Sequence, residues 1–90
     1  MKTHTRLIVV NGEPGSEKTS LASFLAERYR KLGIKALLIN DSEIEGAEVQ
    51  RIFDANRFNY IILTMLPDKK MKAPCLEHPF QTITLPRRGD

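Results

Sequence analysis

The chain has one cysteine, no tryptophan and six aromatic side chains among its 90 residues, and each scarcity excludes something. The lone Cys75 cannot form an intrachain disulfide framework, which fits a reducing compartment and leads us to expect a cytoplasmic protein. With so few rings, and with basic residues not interleaved among them, no base-stacking platform is visible along the chain. Long hydrophobic runs are missing too. The longest uncharged, apolar-rich run, Tyr60–Pro67, is far shorter than the roughly 20 residues that a membrane helix needs. Only Leu7–Val10 separate Arg6 from Asn11, too few for the apolar heart of a secretory signal.

What is present fits one small domain spanning residues 1–90. A chain of this length buries only about 60–65% of the surface it exposes when unfolded. Its 41% hydrophobic and 28% charged content suits a folded globule rather than a disordered chain. The net charge of +3 hides segregation: residues 1–40 hold seven Lys/Arg against three Glu, and residues 41–65 hold two Arg against five acids. Residues 66–90 return to five basics against three acids. A pI near 9.2 permits a nucleic-acid partner, but a solvated surface of mixed charge explains the same numbers.

Arg6-Leu7-Ile8-Val9-Val10 is a continuous apolar run, the pattern of a strand covered on both faces. A loop by composition follows, Gly12–Glu17, and from Lys18 the period becomes helical. Leu21, Leu25 and Leu32, with Ala22, Ala26 and Tyr29, share one helical face, and Gly33 stops the helix behind a cluster of basics. Ile34–Asn40 supplies a second buried strand. Ser42 and Glu45 have the spacing of a capping box, and Ile44, Val49, Ile52, Phe53 and Ala55 then form a broad apolar helix face. Phe58–Leu66 is a third strand. Residues 66–90 form a Pro-rich basic loop, a short strand within Thr82–Leu85 at a sheet edge, and a tail. With three prolines between 67 and 80, a full helix is not expected there, only a turn near Asp68–Lys72. The order β-α-β-α-β-β predicts a small three-layer α/β domain, with a three- or four-stranded mostly parallel sheet and two main helices.

The first loop holds most of the functional information. Gly12-Glu13-Pro14-Gly15-Ser16-Glu17-Lys18-Thr19 follows the phosphate-binding pattern G-x-x-x-x-G-K-[ST], except that Glu17 replaces the second glycine. In the intact motif, backbone amides cradle phosphate oxygens at a helix N-terminus, the lysine reaches the terminal phosphates and the hydroxyl binds Mg²⁺. Strand, loop and helix in that order make the match more specific than eight letters. Residues 6–41 resemble the opening of P-loop NTPases, nearest to ParA/MinD-type partition ATPases and small P-loop kinases. Lys35-Ala36-Leu37-Leu38-Ile39-Asn40-Asp41 resembles their second strand and the acid after it. Phe58–Pro67 resembles their Walker B strand, and the resemblance covers about two thirds of the chain.

It implies ATP or GTP with Mg²⁺ as the family's cofactors, and phosphate-binding positions at Gly12, Gly15, Ser16, Glu17, Lys18, Thr19 and Asp41. Two departures set this chain apart. Thr64 stands where the family's Mg²⁺-linked aspartate belongs, and Glu17 places an anion where phosphate approaches. At ~4 Å like charges repel by a few kcal/mol at an effective dielectric constant of about 20. The second glycine also often takes a backbone shape that costs a residue with a Cβ roughly 1–2 kcal/mol. The phosphate positions therefore read as vestigial, with no catalytic residue, no metal and no cofactor.

Other residues carry weaker signals. Asp41 before Ser42 suits a helix cap as well as a metal-orienting role, and Thr19 suits a local backbone bond. Cys75 and His78 have ligand-like spacing, but two ligands fall short of a zinc site. His4 is isolated, and Arg88-Gly89-Asp90 is a chance tripeptide. The expected function is thus a non-catalytic protein-binding module on a degenerate P-loop scaffold. It suits an accessory or inhibitory protein of a plasmid or phage, such as an inhibitor of a host defence complex. The alternative is a reduced ParA-like or kinase-like nucleotide binder with weak or partner-dependent activity. Partner contacts are expected on two oppositely charged sides: the acidic second-helix face (Glu43, Glu45, Glu48) and the basic loop (Lys69, Lys70, Lys72). Nucleic-acid binding through Lys69, Lys70, Lys72, Arg87 and Arg88 ranks last, and no membrane contact is expected.

Overall fold

The computed structural model describes residues 4–13, 17–40, 44–67 and 71–86. Four strands, β1 (Arg6–Asn11), β2 (Ala36–Asn40), β3 (Tyr60–Met65) and β4 (Gln81–Thr84), form one sheet in the order β2-β3-β1-β4. Every pairing is parallel, and Ile8 aligns with Ile62 and Gln81 while Leu38 aligns with Ile62. The three continuous apolar runs make this arrangement workable. β1 and β3 are central and each buries four consecutive residues, Leu7–Val10 and Ile61–Thr64, because helices cover both faces of the sheet.

Alternate side chains feed two cores. Ile8, Val10, Ala36 and Ile62 pack under Ala22 and Ala26 of α1 (Lys18–Lys31). Leu7, Val9, Ile39, Ile61 and Leu63 pack on the other face beneath Val49 of α2 (Gly46–Ala55) and Cys75 of α3 (Pro74–Glu77). Small alanines on α1 let that helix sit close to the sheet, while Leu21, Leu25 and Tyr29 flank the contact half-buried. α1 ends as expected, with Gly33 at φ 81 and three basics in its last turn.

Several expectations need correction. Leu32 lies beyond the helix and is 69% exposed, so it does not join the α1 core face. Ala55 is exposed at the end of α2 rather than part of its apolar face. The capping box does not form with Glu45 as its inner member. Glu45 is itself the N-cap, in extended backbone, and makes no side-chain capping bond; Ser42 lies outside the described residues. The segment after β3 has no full helix among its described residues, but a single helical turn, α3, opens on Pro74; most of the turn expected near Asp68–Lys72 lies outside the described residues. Proline at the first helical position loses nothing, since its missing N–H would have no intrahelical partner.

The first residue of α2 is a glycine for a packing reason. A Cβ built on Gly46 would stand 2.2 Å from the Lys72 carbonyl oxygen, so the first turn of α2 lies directly against the backbone leading into α3. Gly46→Ala should therefore destabilise the fold by about 1–3 kcal/mol, because helix or backbone must move apart. A lowered urea midpoint with unchanged slope would show this. A neutral or stabilising result would mean that the Lys72 segment yields freely.

Polar groups inside the sheet ends are paired. The buried Thr5 donates its N–H to Asn56 Oδ1 at 2.8 Å and its hydroxyl to the Phe58 carbonyl at 2.7 Å. Asn56 caps α2 at φ 53, a left-handed geometry that asparagine tolerates well. At the far edge, Pro79 and Pro86 bracket the short β4, a device that discourages pairing with foreign strands.

Candidate functional site

β1 and β3 are neighbours, yet β1 leads through α1 to β2 on one side while β3 leads through α3 to β4 on the other. The crevice outside their carboxyl ends is thus the topological switch point, where open α/β sheets bind ligands. Gly12 N–H donates to the Met65 carbonyl at 3.1 Å and Leu85 N–H to the Asn11 carbonyl at 2.8 Å, carrying the ladder just beyond the strands. A cleft of about 410 Å³ opens there between Asn11–Glu13, Met65–Pro67 and Thr84–Leu85. Glu13 is the single charged side chain among its described lining residues.

The loop rejoins described structure at Glu17, which has φ 65 and ψ 23 and makes no side-chain capping bond to α1. Its carbonyl accepts the Leu21 N–H at 3.1 Å. The left-handed region costs a residue with a Cβ roughly 1–2 kcal/mol. This is the backbone shape the motif glycine was expected to need, now occupied by glutamate. Lys18, half-buried, and Thr19, exposed, open α1, whose first turn has no acid. A lysine at that end opposes the helix dipole, a cost of about 0.3–1 kcal/mol in the absence of an anion.

Thr64 is 1% exposed and lies on the α1 face of the sheet, aligned with Val10 of β1 and Asn40 of β2. Its hydroxyl donates to Asn40 Oδ1 at 2.9 Å, so the position that resembles a metal-binding acid holds a neutral bond between strands. Sequence reading flagged Thr64 but missed its partner, because only the β2–β3 register aligns the two.

Gly15, Ser16, Asp41, Glu43, Lys69 and Lys70 lie outside the described residues. Glu45, Glu48 and Lys72 are exposed, and Glu48 is ion-paired with Arg51 on its own helix. The acidic and basic patches were expected on two sides, but the backbone of Lys72, the one lysine of the basic cluster among the described residues, abuts the start of α2 at Gly46, beside Glu45. A shallow groove of about 450 Å³ runs along Met71–Glu77 beside them.

His4 and His78 are exposed. Among the described residues, no group of three or more His, Cys, Asp or Glu could hold a metal ion. Cys75 is buried under α2, and its N–H donates to Gln50 Oε1 at 2.7 Å. Burial pushes its thiol above the ordinary 9.0, and the Asp54 charge adds to the rise against a backbone hydrogen bond that lowers it. The native thiol should react with iodoacetamide about tenfold or more slower than the urea-unfolded chain at the same pH. A raised folded value also means that this stability contribution is complete below pH 9 and fades as pH climbs through the folded pKa. Equal alkylation rates in native and unfolded chain would contradict this burial.

No protein-family model matches the chain, and neither the curated proteins nor the solved structures contain a significant match to it. Among the described residues, no helix is long and apolar enough to cross a membrane.

Proposed function

We propose that the chain is a non-catalytic protein-binding module on a degenerate P-loop scaffold, serving as an accessory or inhibitory protein of a mobile element. The observation that carries this reading is Thr64. A nucleotide-hydrolysing site needs a carboxylate there to organise Mg²⁺, whereas this hydroxyl is buried and spent on Asn40. Glu17 in left-handed backbone and Glu13 beside the cleft agree with it, since both put negative charge where phosphate would come. The retained Lys18 at the start of α1 fits descent from a site that once held an anion.

Calorimetric titration with Mg-ATP and Mg-GTP tests the reading directly. No binding should be measurable at sub-millimolar nucleotide. Saturable binding there would overturn it in favour of the alternative, a reduced ParA-like or kinase-like nucleotide binder.

The partner surface is assigned to the basic loop around Lys69, Lys70 and Lys72 and the adjoining start of α2. Prolines in this segment limit its freedom before binding and so lower the entropic cost of association. Reversing all three lysines to Glu should slow association with a protein captured from the native host about tenfold, with the fold intact. An unchanged on-rate would remove this surface from consideration.

A further inference from the structure

The amino-terminal edge of the sheet, opposite the cleft, gathers side chains that are far apart in sequence. Tyr29 at the end of α1 and Tyr60 at the start of β3 stack with ring centroids 4.5 Å apart and planes within 1° of parallel. Phe80, just before β4, meets Tyr60 edge-on at 6.1 Å. Arg6, at the start of β1, lies 4.8 Å over the Phe80 ring and donates from Nη1 to the Tyr60 hydroxyl at 3.3 Å. Half of the chain's six aromatic residues therefore meet at one edge, and Phe80 remains 55% exposed although Arg6 covers part of it.

Cations surround this cluster. Arg30 is held at the β2 side by donation from Nε and Nη2 to the Ala36 carbonyl at 3.2 and 3.1 Å. Lys35 precedes β2 and Arg57 follows α2, both exposed. The acids near this edge are Glu27, paired with Lys31 at 3.5 Å, and Asp54 and Glu77 toward the ends of α2 and α3. A half-exposed ring such as Phe80 beside a surplus of cations is what a flexible polyanion with planar groups requires: phosphates on the cations, a base on the ring and its guanidinium. An acidic peptide would use the cations and leave the ring faces idle.

We propose that this edge binds single-stranded nucleic acid, with a base stacked at Phe80 and Arg6 and backbone phosphates on Arg30, Lys35 and Arg57. Because the Arg6 guanidinium lies over the Phe80 ring, the base stacks on the outer plane of that guanidinium or on the part of the ring that it leaves exposed. The proposal is independent of the carboxyl-end site and of any protein partner there.

Fluorescence anisotropy of labelled oligothymidylate and oligouridylate with the full chain tests it. Binding should weaken steeply between about 50 and about 200 mM salt. Phe80→Ala and Phe80→Leu should each weaken it about 5- to 100-fold, with unchanged circular dichroism and melting. Lys35→Gln with Arg57→Gln should flatten the salt slope by about 1.4, near 0.7 per phosphate contact. No binding at low salt, binding indifferent to both Phe80 variants, displacement by polyglutamate as effective as by unlabelled oligonucleotide, or duplex bound as tightly as single strand would each overturn the proposal.

Discussion

Thr64→Asp should destabilise the protein by about 3–5 kcal/mol near neutral pH, although it introduces the acid that P-loop enzymes carry in the strand this segment resembles. The position is 1% exposed, and Thr64 donates its hydroxyl proton to Asn40 Oδ1. An ionised aspartate has no proton to give, so two oxygens would face each other unless the Asn40 amide turned over. Desolvation of a buried carboxylate is costly unless it gains a cationic partner. A carboxyl buried in this slot should fold most readily when protonated, so its folded pKa should exceed its unfolded value of about 4. The deficit should then be small below about pH 4 and grow as the pH rises toward neutral. Thr64→Val, which keeps the shape and loses only the bond, should cost about 1 kcal/mol with little dependence on pH. Urea unfolding of the two variants at pH 4 and 7 distinguishes charge from packing. If Thr64→Asp were as stable as the parent at pH 7 and gained Mg²⁺ affinity, the site would be one substitution from function and the spent-scaffold reading would fail.

That experiment bears on what the sequence could disclose. Continuous runs such as Leu7–Val10 and Tyr60–Leu63 are legible as doubly covered strands because burial on both faces removes the need for alternating polarity. The face of α1 was legible through its helical spacing, and its end through Gly33. Interactions set by register were not. Thr64 and Asn40 are both polar residues at strand ends, and nothing in either segment alone says that they share a bond. The start of α2 was misplaced because local capping chemistry favoured Ser42, whereas the contact with the Lys72 carbonyl that needs a glycine is tertiary. Pro74 could have signalled α3 as a first-turn proline, but the density of prolines around it pointed to a loop. Tyr29, Tyr60, Phe80 and Arg6 are separated by 20 or more positions, so their meeting depends on the strand order. The same physics divides the candidate site: the loop pattern and the residue type at position 64 are local and visible, while the bond from Thr64 to Asn40 is not.

Glu17→Gly should have the largest effect on ligand binding. Two costs meet at this residue, and they can be separated. The backbone sits at φ 65, where glycine is at ease and a Cβ is not, so the substitution should raise stability by up to about 1 kcal/mol. On the degenerate P-loop reading proposed above, the carboxylate opposes a phosphate at the start of α1, and removing ~3–4 kcal/mol of repulsion should change nucleotide affinity by about two to three orders of magnitude. Glu17→Gln keeps the Cβ and removes the charge, so it should recover most of that affinity with none of the stability gain. Glu17→Asn tolerates the left-handed backbone and also lacks charge, and should recover affinity with part of the gain. Hydrolysis should stay absent in all three, because Thr64 offers a buried, neutral hydroxyl where a metal-organising carboxylate is needed. Calorimetry with Mg-ATP and Mg-GTP reads the affinities, and thermal unfolding without nucleotide reads the backbone cost. If Gly and Gln both bind, the cradle has survived and charge alone closes it. If only Gly binds, the backbone has to relax before amides can reach phosphate. If neither binds while Gly still raises the melting temperature, the loop has a glycine-like backbone turn without a phosphate-binding geometry, and any ligand of this domain must be sought on its other surfaces.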